Sequence, residues 1–495
     1  MHCDGSLVGF ENGVAPSSRS TAIPLIGTVF RLNDLIGGLV LSRKMSVRDS
    51  WSRSRLLSHQ RGAFLAMLRY ARAASPFYRE LYRGIDLTDG LDPTSLPVTS
   101  KRQVMDNFEA VVADKRLCRA ELERHLAHPS GDECLFGEYR IVATAGTSGL
   151  RGIFVYDRAA WRFVLANTFR CHRIIGIKAR VPYRMRICSV GADNPMHMTT
   201  RIPMSGDVGL FRLMHIEAAD PIARQVAALN SFQPEALVPY PSVAALLARE
   251  QIAGRLSIHP KVVATHSEVL TPEMARLIEE AWGTRPFNHY GLTEEPHVGT
   301  DCAMHAGLHL FEDTAMVEVV DDDYRPVPDG QTGTRWLLTN LYNRAQPLIR
   351  YEVTDMLCRS AVPCPCGRPF GLVEAIGGRA EDVLRLPRGD GPGVVIVSPM
   401  VISLAIESFT AVREYVSEHD ESGIHLRLVV PDPTERMHIE TQLPKRLSAD
   451  IARQGALAPV ITLDFVEAIE RSARPMGKLN VVARRRGRIS VKAAQ

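Results

Sequence analysis

Between Ala236 and Trp282 the chain alternates short runs of β-forming residues with segments of helical periodicity, and this alternation limits the fold more than any other feature. Ala236 to Pro239 reads as a strand, Val243 to Leu256 as a helix, and Lys261 to Thr265 as a second strand. A further helix begins where Thr271 supplies the cap and Pro272 the first helical position. Strands joined by helices in this way pack as helices on a mostly parallel sheet, so an α/β architecture is expected. Upstream, Trp51 to Ala74 reads as an amphipathic helix with Leu56, Leu57, Gln60, Phe64, Leu68 and Ala71 at helical spacing, stopped by Ser75-Pro76. Asp157 can cap another that carries Trp161, Val164, Leu165 and Phe169.

Downstream the pattern changes twice. Met316 to Val320 and Thr334 to Leu341 are strand-like, with the turn residues Asp329-Gly330 between them. Beyond Gly377-Gly378, the segments Ile424 to Val430, Thr434 to Arg453 and Val460 to Phe465 read as a strand–helix–strand unit. A chain of 495 residues is too long for one core. The expected division is an N-terminal extension (residues 1–49), a large domain (50–377) and a small C-terminal α+β domain (378–495). Internal repeats are not evident.

Charge and cysteine usage exclude some classes of function. The net charge of +4 is mild, and part of it lies in Arg484-Arg485-Arg486 with Arg488, which reads as a surface tail. No pattern of interleaved basic and aromatic residues accompanies it, so nucleic acid is not an expected partner. Thr21 to Ser42 is fairly apolar, but Arg31 and Asp34 interrupt it and no uncharged run nears the ~20 residues of a spanning helix. It also lacks a basic start and a small-residue cleavage site, so an added helix or a poorly ordered extension is expected there in place of an anchor or signal peptide, with peripheral membrane contact left open. Nine cysteines, an odd count without a secretion signal, point to the reducing cytoplasm.

Four segments carry chemistry. Thr144-Ala145-Gly146-Thr147-Ser148-Gly149 offers flexible backbone amides and hydroxyls to an anion, between the apolar runs Ile141-Val142 and Ile153-Phe154-Val155. It is not a Walker loop, because no Lys-Ser/Thr pair follows the glycines; in isolation a surface turn reads the same way. Asn288-His289-Tyr290-Gly291-Leu292-Thr293-Glu294-Glu295 offers an aromatic face, a hydroxyl and a carboxylate fit for a base, a phosphate and Mg²⁺. Arg350 to Asp355, followed by Gly378-Arg379-Ala380-Glu381-Asp382, supplies a carboxylate suited to a ribose diol and a planar cation suited to sugar and phosphate. Arg474-Pro475-Met476-Gly477-Lys478 sets a lysine on a turn. Taken singly, a solvated surface role explains each of these.

Together and in this order, the segments resemble the adenylate-forming superfamily of acyl-CoA synthetases, peptide-synthetase adenylation domains and luciferases. The likeness is closest to the phenylacetate-CoA ligase-like branch, and within it to adenylate-forming enzymes related to those that adenylylate a deazaflavin coenzyme. Trp51, His59-Gln60 and Ser75-Pro76-Phe77-Tyr78-Arg79 are similar there too.

The resemblance implies that Thr144, Gly146, Thr147, Ser148 and Gly149 bind phosphate, that Ser267 and Glu268 line the adenine, and that Tyr290, followed by Gly291, packs on it. Thr293 would touch the α-phosphate, Glu294 would hold Mg²⁺, and Asp355 would bind ribose with Arg379 beside it. Glu381 falls on the hinge and Lys478 on the lysine that stabilises the adenylation transition state. His197 matches the histidine that gates the acyl pocket, although a packed or solvated histidine is the plainer reading. Tyr240 is expected on the pocket wall. The phosphate loop departs from the family pattern: Leu150-Arg151-Gly152 stands where Pro or Lys-Pro is usual, so either Arg151 supplies the charge or β/γ-phosphate binding is weaker.

Cys302 and His309, with Cys364-Pro365-Cys366, match zinc in ligand type and number, with His305 and Cys358 as rivals. Proteins of the resembled branch often carry such a set, which Gly307 and Gly367 complete, and a structural Zn²⁺ is implied. The expected activity is therefore ATP- and Mg²⁺-dependent activation of a small-molecule carboxylic acid to an acyl-adenylate, followed by transfer to coenzyme A. The alternatives are an adenylyltransferase that leaves AMP on its substrate and a degenerate nucleotide-binding protein.

Overall fold

The computed structural model describes residues 25–467 and 482–484, apart from 128–131, 145–150, 181, 192–193, 208, 219, 269, 271, 322, 378–383, 398–399, 410, 413 and 421–422. Gly146, Thr147, Ser148, Gly149, Arg379, Glu381 and Lys478 therefore lie outside the described residues.

A ten-stranded sheet dominates. Its order runs Arg212–Glu217, Arg186–Gly191, Ala236–Pro239, Val262–His266, Phe287–Tyr290, Gly299–Thr300, Leu308–Leu310, Leu372–Gly377, Met356–Arg359 and Thr332–Gly333. The first five strands are parallel and the rest pair antiparallel. The parallel half is the α/β region expected from the alternating sequence, with the helices Pro241–Ile252 and Pro272–Trp282 as crossovers. The first of these begins earlier than its periodicity implies, because Pro241 sits at its first turn, and stops sooner, at Ala253 before the left-handed Gly254.

Two smaller sheets flank it. Arg140–Ala143 and Ile153–Tyr156 form an antiparallel pair, buried at every position, that brackets the glycine-rich segment. Ala315–Val320, Arg335–Asn340 and Tyr351–Val353 form a three-stranded sheet. The helix Arg53–Ala74 buries Leu56, Phe64, Leu68 and Ala71, and Ser52 caps it by accepting a bond from Arg55 N. Leu57, expected on the packed face, is exposed. Asp157 caps Arg158–Ile175 through Ala160 N, as its sequence context indicates.

The apolar N-terminal stretch forms the helix Leu25–Ser46. Asp34, which breaks its hydropathy, is buried and pairs with Arg140, Arg158 and Arg162 at 3.1, 3.0 and 3.3 Å. Several cations around one carboxylate offset the cost of burying it. At Gly38 a side chain would meet Leu165 Cβ at 2.8 Å, so the glycine lets this helix lie close against Arg158–Ile175. No helix among the described residues is long and apolar enough to cross a membrane.

The C-terminal part has its own core, in which Ile402, Leu426, Leu428, Leu443, Leu447 and Ile451 pack together. Gly423–Val429 and Ile461–Phe465 pair in parallel and the helix Pro433–Arg453 joins them, which is the strand–helix–strand unit read from the sequence.

Candidate active site

In open α/β sheets ligands bind beyond the carboxyl ends of the parallel strands. A cavity of about 500 Å³ lies there. Tyr240 follows the strand Ala236–Pro239, His266 and Ser267 end Val262–His266, and Gly291 follows Phe287–Tyr290; all four line the cavity. Thr144, His197, Thr293, Glu294 and Asp355 line it as well. Residues named from separate stretches of sequence thus share one space. Glu268 lies next to Ser267 but is not among the lining residues. Ser267 has φ +69°, a conformation that costs a β-carbon residue energy and is typical of functional sites.

The segment after Tyr290 folds back on itself. Leu292 N bonds Glu295 O at 2.8 Å and Val298 N bonds Tyr290 O at 3.0 Å. A side chain at Gly291 would collide with the Pro296 carbonyl, so only glycine permits this return. The Tyr156 hydroxyl donates to Thr293 O at 2.6 Å, and the Tyr351 hydroxyl donates to Glu294 Oε1 at 3.0 Å. These contacts fix Glu294 at the wall while its neighbour Glu295 points into the core. There Asn340 Nδ2 and the Tyr342 hydroxyl donate to Glu295 at 2.7 and 3.1 Å, and burial pushes its carboxyl well above the ordinary range.

Tyr290 is 9% exposed. Its ring packs near Trp336, with centroids 6.0 Å apart and planes at 58°, and its hydroxyl donates to Asp355 Oδ2 at 2.7 Å. The ring is not itself among the lining groups, and the hydroxyl's hold on Asp355 is its direct link to the site.

Two lining groups were not singled out from the sequence. Lys101 Nζ donates to Thr144 Oγ1 at 3.1 Å, and the same oxygen accepts from Gly152 N at 2.8 Å. Burial lowers the Lys101 pKa and the Glu294 carboxylate opposes that shift. A side chain at Gly152 would meet Lys101 Cε at 2.8 Å, so glycine there leaves room for the lysine stem. Arg151 instead lies against Met196, Nη2 to Sδ 3.0 Å, and is not a lining residue. The sequence signal for Lys101 is a capping box, in which Ser100 and Gln103 bond reciprocally and place the lysine at a helix start.

The other group consists of His172, His266, His289, His297 and Cys171, set among Ile175, Val238, Ala264 and Phe287. Burial holds His172 down to about 4 and His266 to about 3, and lowers His289 and His297 as well. Burial pushes the Cys171 thiol up to about 12. This end of the cavity is therefore polar and uncharged at neutral pH.

Away from the cavity, the sulfurs of Cys302, Cys364 and Cys366 converge with His309. Cys302 Sγ lies 3.7 Å from Cys364 Sγ, and His309 Nε2 lies 3.4 Å from both Cys302 Sγ and Cys366 Sγ. Tetrahedral Zn²⁺ bonds would set ligand atoms about 3.5–3.8 Å apart, so the four residues fit that ion. The rivals point elsewhere: His305 Nδ1 bonds Asp301 at 2.6 Å, and Cys358 Sγ bonds Arg359 O at 3.8 Å.

No protein-family model matches the chain. It is 33% identical over 170 residues to a phenylacetate-coenzyme A ligase of Thermus thermophilus, a match covering 32% of this chain and 38% of that protein. It is 25% identical over 452 residues to a phenylacetate-coenzyme A ligase of Aromatoleum evansii, covering 85% and 92%. Among solved structures, 2-hydroxyisobutyryl-CoA ligase in complex with 2-HIB-AMP and CoA in its thioesterification state superimposes with a TM-score of 0.57 at 20% identity, over 86% of this chain and 90% of that one. The same ligase in its postadenylation state gives 0.55. The fold is that of the adenylate-forming CoA ligases.

Proposed function

We propose that this chain condenses a carboxylic acid with ATP to an acyl-adenylate and then transfers the acyl group to coenzyme A. The observation that carries this reading is the single cavity into which Thr144, Thr293, Glu294 and Asp355 project from separate segments of a ligase-type fold. The full-length similarity to a phenylacetate-coenzyme A ligase supports the same chemistry.

A carboxylate oxygen of the acid attacks the α-phosphorus, the bond to the oxygen bridging to the β-phosphate breaks, and pyrophosphate leaves with the electron pair. Such transfer needs positioning and charge neutralisation more than covalent help. Thr144 and Thr293 hydroxyls orient phosphate oxygens, Asp355 accepts the ribose hydroxyls, and Ser267 lies along the adenine; the family resemblance implies that Arg379 and the loop Gly146 to Gly149 would complete the nucleotide site. Glu294 would hold Mg²⁺, a hard cation that suits carboxylate and phosphate oxygens and neutralises the latter. Lys101 adds a second positive charge beside Thr144. In the second step the coenzyme A sulfur attacks the acyl carbonyl, its proton goes to solvent, and AMP departs. Rotation of a C-terminal domain (378–495) about Glu381 would bring Lys478 to the first step and withdraw it for the second.

The acid lies toward the imidazole end, between Tyr240 and His197. The uncharged, partly aromatic wall there suits an acid whose remainder is neutral, as in the phenylacetate-CoA ligase-like branch. Cys302, His309, Cys364 and Cys366 would hold a structural Zn²⁺ with no open position. We place the reaction in the cytoplasm, where these thiols stay reduced.

ATP–pyrophosphate exchange across a panel of aromatic and aliphatic acids, followed by chromatography of products with coenzyme A, tests this reading. Acid-dependent exchange with a CoA thioester and free AMP is expected. An AMP conjugate as end product would replace the reading with the adenylyltransferase of the deazaflavin-related kind. Nucleotide binding without exchange for any acid would overturn it.

A further inference from the structure

Three ligand-type side chains at the imidazole end of the cavity, beside the place proposed for the acid, take no step in the chemistry above. Cys171 lies on the helix Arg158–Ile175, His289 on the strand Phe287–Tyr290, and His297 on the return segment that follows. Their ligand atoms lie within 4.8 Å of one another, and all three residues line the cavity. Cys171 Sγ is 3.8 Å from His289 Nδ1 and 3.7 Å from His297 Nδ1.

The surrounding bonds fix the tautomers. Thr168 Oγ1 donates its one proton to Val164 O at 3.0 Å, so toward His297 Nε2, 2.9 Å away, it can only accept. His297 therefore carries its proton on Nε2, and its Nδ1 is a bare lone pair. Pro296 O is an acceptor only, and His289 Nε2 lies 3.1 Å from it, so His289 too is protonated on Nε2 and bare on Nδ1. His289 Nε2 also lies 3.2 Å from His297 Nδ1, but its single proton is shared with the carbonyl. Both Nδ1 lone pairs thus face the Cys171 sulfur, and that of His297 also meets the shared His289 proton.

Sulfur–nitrogen separations near 3.6 Å are what a tetrahedral ion with ordinary Zn–S and Zn–N bonds imposes. One sulfur and two imidazole nitrogens select a borderline ion over Mg²⁺ or Ca²⁺, which take oxygen ligands.

We propose that Cys171, His289 and His297 form a second metal site, for a divalent cation of the Zn²⁺ class, whose fourth position opens on the cavity. Three protein ligands leave that position to water or to a donor atom of a bound molecule. On loading, the Cys171 S–H bond breaks, its proton passes to solvent, and a metal–sulfur bond forms; nothing is oxidised or reduced. Thr168 and Pro296 serve as the outer partners that hold each imidazole in its ligating tautomer. The site adjoins the proposed acid pocket, but metal loading needs neither nucleotide nor acid, so its test stands apart from the test of acid activation.

The test is Co²⁺ titration of the chelator-dialysed full-length protein, followed by visible and near-ultraviolet absorption and by metal content. Cys171→Ser is expected to bind one equivalent fewer than the wild type and to lose the thiolate-to-cobalt absorption of that equivalent. His297→Gln is expected to weaken the same equivalent roughly 10-fold or more, and Cys364→Ser to leave it in place. Should Cys171→Ser fail to fold by circular dichroism, His297→Gln carries the test alone. Wild-type cobalt stoichiometry and spectrum in both Cys171→Ser and His297→Gln would overturn the proposal.

Discussion

The Tyr290 hydroxyl holds Asp355 through a 2.7 Å hydrogen bond, tying the end of the parallel half of the sheet to the segment that follows Tyr351–Val353. One oxygen of Asp355 is thereby fixed and the carboxylate plane with it. Tyr290→Phe removes the bond and keeps the ring against Trp336. A hydrogen bond to a charged group contributes about 1.5–3 kcal/mol, so the thermal midpoint should fall and the KM for ATP should rise on the order of 10-fold, while kcat changes little. Exchange kinetics measure this, and an unchanged KM would show that Asp355 needs no such support.

Lys101 bonds Thr144 and faces Glu294 across the cavity wall. Lys101→Met keeps most of the stem's volume and removes the charge. The exchange rate should fall by roughly 100–1,000-fold, the range for losing one preorganised donor. Lys101→Arg should recover only part of it, because a planar fork does not replace a point charge. Full activity in Lys101→Met would reduce the lysine to a prop for Thr144.

What the sequence made legible follows from how local each signal is. Strand–helix alternation from Ala236 to Trp282 and the Gly291 return are written in consecutive residues, so they could be read directly. Lys101 could not, since its partner Thr144 is 43 positions away and the pairing depends on how the capped helix meets the buried strand pair. Cys171 and His297, 126 positions apart, look like an isolated core cysteine and a loop histidine until the helix crosses the return segment. Asp34 reads in one dimension as an interruption of an apolar run, but in three it anchors that helix through Arg140 and Arg158.

The buried histidines give stability a pH dependence of definite sign. His172 is held down to about 4 and His266 to about 3, both by burial, so between pH 6.5 and those values the unfolded chain binds protons that the folded one does not. Their contribution is complete above the unfolded value and is lost as pH falls. From pH 6.5 to 5, His172 alone should cost about 2 kcal/mol. Urea unfolding at the two pH values measures the loss, and His172→Gln should flatten the slope. A profile equal to wild type in that variant would refute the assignment.

The cysteine cluster should behave as a stabilising metal centre. Cys302 and His309 close one loop and Cys364 and Cys366 another, so an ion bound by all four joins segments about 60 residues apart. Cys364→Ser should lower stability by on the order of 3–5 kcal/mol, with about one equivalent of zinc lost, and chelation should destabilise at least as much. Equal melting curves with and without chelator would show that the cluster packs without metal.

Lys478 provides the sharpest separation of chemistry from folding. It lies outside the described residues, so its assignment rests on the turn Arg474-Pro475-Met476-Gly477-Lys478 and on the resemblance to adenylate-forming enzymes. A lysine in a polar turn sequence is rarely a core residue, so Lys478→Ala should leave the melting transition nearly unchanged. If its ammonium neutralises charge only while the adenylate forms, exchange should be abolished. Coenzyme A transfer from chemically prepared acyl-adenylate should survive, since that half-reaction does not use the lysine. Wild-type exchange in this variant would remove Lys478 from the mechanism. Equal loss of both half-reactions would instead point to a damaged nucleotide site.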